Sequence, residues 1–280
     1  MSTSLNGLLR LAVMTAASGE SQNFLGARWV AGSLNVVPQS WKRGLALRFL
    51  AASPHYFYRT KANARLSTRA FLESEYRRCR ETRKLIMDGL ISNYVRPDFV
   101  CLDYGCGPGF LAAATAPKTA RVIACDISGG VLACAAAINP APNIEYRKVA
   151  ANGAIPVEDE RVDLVYSFAV IQHVTDEVLR GILDEFRRVM KPGATVVCHV
   201  VLDEEGWKSE SDWRADKTLK GRMKWEIGLH CFSRSRESME SMIANAGLNL
   251  HQFIPISELG VQLGGDDVER HHLCVFSRAR

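Results

Sequence analysis

The stretch Val100-Cys-Leu-Asp-Tyr-Gly-Cys-Gly-Pro-Gly109 decides how this chain is read. With Phe99, its first half is a short apolar run ending on Asp103, the pattern of a buried strand. Its second half places glycine at 105, 107 and 109, which lets the backbone take positive φ and approach a ligand closely. Pro108 suits the first turn of a helix, where its missing N–H costs nothing. Phe110-Leu-Ala-Ala-Ala114 then reads as that helix, whose start is expected to turn N–H groups and a partial positive charge toward an anionic group. Strand, glycine turn and helix form the opening unit of an open α/β sheet, where ligands bind beyond the carboxyl ends of the strands.

Moving toward the carboxyl terminus, the alternation continues. Arg121–Asp126 reads as a second strand and Val131–Ile138 as the next helix. Ile144–Lys148 and Val162–Ser167 are further strands, and Thr175–Met190 is a helix closed by Lys191-Pro-Gly193. Ala194–Leu202 is a β-branched fifth strand, Ser233–Ala246 a helix, and Asn249–Ile254 and His271–Phe276 are closing strands. Strands alternating with helices predict a doubly wound, mostly parallel seven-stranded α/β sheet with right-handed connections. Residues 203–230 are polar, carry Trp207, Trp213 and Trp225, and lack periodicity, so they read as a lid inserted on the substrate side.

Toward the amino terminus the texture differs. The first 60 residues are irregular, but between Pro38 and Pro54 the spacing of Trp41, Leu45, Phe49 and Leu50 predicts an amphipathic helix flanked by Lys42, Arg43 and Arg48. It reads as a cap packed on the domain, with peripheral membrane contact as the alternative. Residues 65–94 read as one or two helices, with Phe71, Leu72, Tyr76 and Ile86 on the apolar face, and Pro97 ends them. The chain thus divides into a helical cap over residues 1–96 and a sheet domain over 97–280. Leu8–Ala17 is short, contains Arg10 and lacks a basic lead-in, so it is not read as a secretory leader.

The bulk numbers narrow the classes. The 280 residues are 47% hydrophobic and 23% charged, an ordinary globular balance that argues against wholesale disorder. The net charge of +5 is uneven: residues 1–98 hold 15 Lys/Arg against 6 Asp/Glu, and residues 99–280 hold 20 against 24. The basic part could attract an anionic or carrier-linked substrate, whereas no dense basic tract or binding module points to nucleic acid. Eight cysteines are scattered without C-x-x-C pairs, which argues against zinc sites and disulfides and for a reducing, cytoplasmic setting.

A glycine turn serves more than one nucleoside cofactor. Gly107-x-Gly109-x-x-Ala112 aligns with the dinucleotide fingerprint, so an NAD-type oxidoreductase competes. Against it, Asp103 meets the ligand with a carboxylate, suited to an ammonium rather than a pyrophosphate. On the frame that starts at Gly105, moreover, the third fingerprint position is Phe110. Asp126, ending the second strand, can accept from both hydroxyls of a ribose, and Ile127 would follow as an apolar face for an adenine.

Four segments in order carry a resemblance. They are Val100–Gly109, Val122–Ser128, Ile155–His173 and Phe186-Arg-Arg-Val-Met-Lys-Pro-Gly193. Together they resemble class I S-adenosylmethionine-dependent methyltransferases, closest to the type 11 group that acts mostly on small molecules. The resemblance covers roughly residues 97–201. It implies the Rossmann-like methyltransferase fold and S-adenosyl-L-methionine as cofactor. The activity it implies is methyl transfer to an oxygen or nitrogen of a small molecule such as a natural product, a sugar or a lipid-like metabolite. Carried over by position, Asp103, Gly105, Cys106 and Gly107 would hold the methionine part, Asp126 the ribose, and Ile127 the adenine. The aspartate that the family places five residues before Pro156 is Ala151 here, and Asn152 or a backbone group would substitute. Ser167 ends the strand beside the reactive methyl.

His173 is the titratable side chain placed near that methyl. An imidazole can take the acceptor's proton, and a histidine here can equally brace the loop; base and brace both stand. His199 lies in an apolar strand and reads as a satisfied core residue. His271 and His272 are neighbours on a strand, point to opposite faces and cannot share a metal, so no metal site is expected. Tyr56, Phe57, Tyr58, Trp213 and Trp225 are candidates for a substrate wall. A non-catalytic partner that keeps the fold is the remaining alternative.

Overall fold

Seven strands form: β1 (Val100–Tyr104), β2 (Arg121–Asp126), β3 (Ile144–Lys148), β4 (Val162–Ser167), β5 (Met190–Val201), β6 (Leu248–Pro255) and β7 (His271–Arg278). They make one sheet in the order β3-β2-β1-β4-β5-β7-β6. β1 to β5 run parallel, and β7 lies antiparallel between β5 and β6. The structure is a computed structural model that describes residues 25–279, apart from 54, 58–59, 61–62, 204–206, 227–229, 233 and 260–269. Leu8–Ala17 and Tyr58 therefore lie outside the described residues.

The order reverses between β1 and β4, so the crevice beyond their carboxyl ends is the topological switch point of the sheet. Asp103 sits there, paired with Ala124 of β2 on one side and Tyr166 of β4 on the other. β1, β2 and β4 are apolar along their length because both sheet faces are covered. On one face α6 (Asp176–Val189) and α9 (Arg236–Asn245) bury Leu179, Phe186 and Ile243 against Leu102 and Val196. On the other, the end of α3 (Thr68–Ile86) buries Ile86 with Leu111 of α4 (Phe110–Thr115) against Leu164 and Tyr166.

The amino-terminal helices attach through α5 (Gly129–Ile138). α1 (Leu25–Val36) and α2 (Gln39–Ala52) bury Val30, Leu34, Leu47 and Leu50 with Cys134 and Ile138 of α5. α2 matches the expected amphipathic helix. α1 does not follow from local pattern, since Gly26 and Gly32 fall inside it, and packing on α5 supports a helix that propensity alone would not.

Two other segments differ from expectation, and a third, read as one or two helices, gains detail. Lys191-Pro-Gly193 is not a turn between elements but a bulge inside β5. Met190 already pairs with Val162, and the ladder resumes at Leu164 with Thr195. Pro192 cannot donate to the ladder and Gly193 takes φ +78°, which accounts for the break in register. Residues 65–94 hold one α-helix that widens into a π turn over Met87–Ile91 and ends in a 3-10 turn. The non-periodic stretch 203–230 contains two short helices, α7 (Glu210–Ala215) and α8 (Leu219–Glu226), the first started by a capping box between Ser209 and Asp212.

Among the described residues no helix is long and apolar enough to cross a membrane, and no cluster of His, Cys, Asp and Glu could hold a metal ion. All eight cysteines are free thiols.

Candidate functional site

The turn after β1 is clipped to the end of β2. The Gly105 and Cys106 N–H groups both donate to the Cys125 carbonyl, at 2.8 and 2.9 Å, and the Gly109 N–H donates to the Cys106 carbonyl at 3.0 Å. The Gly107 N–H donates to Asp126 Oδ2 at 2.9 Å. These turn donors are spent inside the turn, because a bend this tight folds them back on β2, while at the helix start the Ala112 N–H meets the Asp103 carboxyl. What the glycines supply instead is conformation and space. Gly105 holds φ +73° and Gly107 φ +52°. A Cβ at Gly105 would lie 2.2 Å from Val170 Cγ2, whereas one at Gly107 would only touch the Tyr56 ring at 3.4 Å. Val170 therefore fills one side of the turn and Tyr56 roofs the other.

Asp103 is buried at the floor of the crevice, and its Oδ2 has no hydrogen-bond partner. Burial pushes its carboxyl up to about 8, against the pull of the nearby Arg83 guanidinium and the Ala112 N–H. Arg83, on α3, lies over the Phe168 ring at 5.8 Å and makes no salt bridge to any described residue. Its pKa is lowered by burial, so the crevice holds an unpaired carboxyl and an unpaired guanidinium close together. Nothing in the local pattern of Arg77–Lys84 marks Arg83 out. Only the docking of α3 on the sheet does.

Asp126 accepts from the Gly107 N–H through Oδ2 and from the Ser128 N–H at 2.8 Å through Oδ1. Each oxygen keeps a second lone pair, so the carboxylate is aimed by backbone and can still accept from a ligand diol. Ile127 packs its side chain against the main core. The Val149 N–H donates to the Asp126 carbonyl at 3.0 Å, which holds the following turn beside the end of β2. Asn152 is exposed in that turn, and its Oδ1 accepts from the Ala154 N–H at 3.1 Å, leaving its NH₂ group as the available donor. Ser167 donates to the Tyr104 carbonyl at 2.9 Å and so ties the ends of β4 and β1 together.

His173 closes a 3-10 turn after β4. Its Nδ1 is 2.7 Å from the His230 carbonyl. A carbonyl only accepts, so Nδ1 carries the proton and the neutral ring has its lone pair on Nε2. His230 Nε2 donates back to the His173 carbonyl at 3.1 Å, making a two-way clasp between the β4 exit and the lid segment. Trp225 stacks on His230 at 4.7 Å between ring centroids and Trp213 meets it at 6.2 Å. Burial lowers the pKa of His173, which keeps the ring neutral near pH 7.

Two supports of this loop had no sequence signal. Arg234, buried, donates to the carbonyls of Ile171 and Val174 and pairs with Asp176 at 2.7 Å. His199 is a satisfied core residue, as expected, and it also reaches the loop. Its Nδ1 accepts from the Ala169 N–H at 3.3 Å and its Nε2 is 2.8 Å from His271 Nδ1. Burial and the neighbouring His271 push it down to about 3. Ala169 holds φ +62°, a left-handed conformation unusual outside glycine. His272 faces the other way, toward the Arg270 carbonyl. Of the aromatic candidates, Tyr56, Trp213 and Trp225 border the site, whereas Phe57 is packed in the cap core.

Comparison with known proteins bears on this geometry directly. Residues 102–198, which span β1 to β5, match the model of a family described as a methyltransferase domain. Over about a third of its length, then, the chain is similar to methyltransferases. Among curated relatives, the ubiquinone biosynthesis O-methyltransferase of Hahella chejuensis is 28% identical over 124 residues, 44% of this chain and 51% of the relative. The protein of the same name from Paracidovorax citrulli is 33% identical over 131 residues, covering 45% and 53%. The chain thus spans about half the length of the curated relatives it matches. Among solved structures, a chain from the complex of the Haloferax volcanii Trm112 methyltransferase activator with its methyltransferase aligns with a TM-score of 0.53 and 20% identity. That alignment covers 74% of this chain and 93% of the other. The cyclase SpnF aligns at 0.52 and 15% identity, over 86% and 95%. These two likenesses show the fold alone.

The crevice suits S-adenosylmethionine on observations of its own. A buried carboxyl oxygen without a partner, an unpaired guanidinium beside it and a backbone-aimed carboxylate 2.9 Å from Gly107 are complementary to the amino-acid and ribose ends of S-adenosylmethionine. A bare pyrophosphate would find the turn's N–H groups already taken.

Proposed function

We propose that the chain transfers a methyl group from S-adenosylmethionine to an oxygen of a small-molecule acceptor. The observation that carries this reading is the tautomer of His173. With Nδ1 donating to the His230 carbonyl, the free lone pair belongs to Nε2, the arrangement a hydroxyl proton requires. The printed names of the curated relatives, O-methyltransferases, support oxygen over nitrogen.

When bound, S-adenosylmethionine supplies an electrophilic methyl group on a positively charged sulfur. Asp103 and Arg83 would hold the ammonium and carboxylate of its amino-acid end, while Asp126 takes the ribose hydroxyls. Ile127 and Asn152 would line the adenine. Ser167 and Phe168, where β4 leaves the sheet, would flank the reacting carbon, and His173 Nε2 would take the acceptor proton as the new C–O bond forms. The helical cap of residues 1–96 and the lid of 203–230 would close over the pair and exclude water. Fixing two reactants in line can remove several kcal/mol from a displacement barrier.

The direct test incubates the protein with methyl-labelled cofactor and a metabolite extract, followed by identification of labelled products. Label on a hydroxyl-derived oxygen is expected, and label on nitrogen overturns the oxygen assignment. Cofactor binding by calorimetry with no labelled product would favour a non-catalytic role. Asp126→Ala is expected to weaken cofactor binding at least about tenfold, or 1.4 kcal/mol, and unchanged affinity would sink the ribose assignment.

A further inference from the structure

From Ser21 to Leu72 the chain contains no Asp or Glu and eight Lys/Arg. The helix α5, on which α1 and α2 pack, carries no acid either. Two carboxylates of α3 meet this region: Glu73 neutralises Arg43 through a bidentate pair at 2.6 and 2.9 Å, and buried Glu75 accepts from Asn63 at 3.3 Å and pairs with Arg78. The rest of the face is one-signed.

The same segment is unusually apolar on its outside. Of the seven large hydrophobic residues exposed among the described residues, four (Trp29, Val36, Trp41 and Leu66) fall within it. Trp29 is 60% exposed, Val36 83% and Trp41 69%. Helical spacing explains their direction. Trp29 and Val36 are seven residues apart on α1, away from buried Val30 and Leu34. Trp41 and exposed Arg48 are seven apart on α2, opposite buried Ala46, Leu47 and Leu50. Both helices therefore have two faces, one packed on α5 and one that carries an exposed tryptophan outward, with Lys42 and Arg48 beside the tryptophan of α2.

We propose that the outer face of α1 and α2 docks on an anionic phospholipid surface. Tryptophan is suited to the interfacial layer of a bilayer, where its ring is apolar and its N–H stays hydrated. Basic residues around it match the negative surface potential of anionic lipid, and a helix buried on one face only needs to enter the headgroup region. A nucleic acid would account for the cations but gives no role to the exposed aliphatic Val36. The segment after α2 carries Tyr56, which roofs Gly107, so docking would bring the mouth of the crevice to the membrane. The inference rests on this surface and not on the proposed chemistry.

The test uses the full chain with vesicles of phosphatidylglycerol and phosphatidylcholine, and with phosphatidylcholine alone, followed by co-sedimentation and tryptophan fluorescence. Binding to the anionic vesicles at least tenfold stronger than to the neutral ones is expected, with a blue shift in emission. The double variant Trp29→Ser/Trp41→Ser removes two exposed rings, at the cost of the Trp29 edge contact with Phe49, and should lose at least tenfold in binding while the thermal midpoint stays close to wild type. Lys42→Glu/Arg48→Glu provides an independent arm, with the same loss expected, as does raising the salt. Failure to bind anionic vesicles, undiminished binding by both double variants, or preference for RNA over vesicles would overturn the proposal.

Discussion

His173 owes its tautomer to a carbonyl 57 residues further along the chain, and Asp103 owes its raised pKa to burial, which outweighs the pull of Arg83 from α3. His173→Ala is expected to lower kcat by about 10²- to 10⁴-fold with cofactor affinity unchanged. The wild-type pH–rate profile should be flat from neutral pH upward and fall only below about 6.5, since burial moves the imidazole pKa down. Loss of cofactor binding in that variant would reassign the residue to a bracing role. For Asp103 the folded carboxyl is at about 8 and the unfolded one near 3.9. Its contribution to stability is therefore complete below about pH 4 and is lost as pH rises toward 8. Denaturant titrations of the ligand-free protein from pH 5 to 9 should show that decline, and Asp103→Asn should flatten it. Asp103 and Asp126 could be singled out because each lies at the carboxyl end of a parallel strand, which is a place in the fold. Arg83 was not, because its role depends on which face of α3 meets the sheet.

At the scale of elements, the loop after β4 is held from three sides: by Arg234, by His199 through Ala169, and by Val170 against Gly105. Arg234→Met would leave two carbonyls and Asp176 without their buried partner. It is expected to cost about 3 kcal/mol, read as a shift in the denaturation midpoint, with activity lost along with the order of the His173 turn. Gly105→Ala combines positive φ with a Cβ placed 2.2 Å from Val170. A destabilisation of about 2 kcal/mol and a matching loss of cofactor affinity are expected. Equal stability and binding would show that the turn can shift. β2 and β4 were legible to the residue because each is a mainly apolar run bounded by polar or turn residues, and β3, Ile144-Glu-Tyr-Arg-Lys148, matches its expected bounds although it is largely polar. α1, α7 and α8 were not. Two glycines interrupt α1, and the two lid helices are too short to show a period, so tertiary contacts rather than local sequence hold them.

For the whole molecule, the crevice lies between the sheet, the amino-terminal helices and the lid, so ligand binding should couple to global stability. Saturation with S-adenosylhomocysteine at about 100 times its Kd should contribute about 2.7 kcal/mol, seen as a rise in Tm of roughly 5 °C for a chain of this size. No shift would mean that the crevice does not take the cofactor. What the sequence by itself determined is the alternation of strand and helix, the glycine turn, the two strand-end carboxylates and hence the class of domain. These are properties of neighbours in the chain, where backbone conformation and hydrophobic period are set within a few residues. Only the tertiary structure decided that the turn's N–H groups face inward, that Asp103 and Arg83 share one pocket, and which nitrogen of His173 holds a lone pair. It also decided that the basic helices keep a tryptophan-bearing face outward. Each of these depends on groups tens of residues apart meeting in low dielectric, where burial and a single hydrogen bond set charge state and direction.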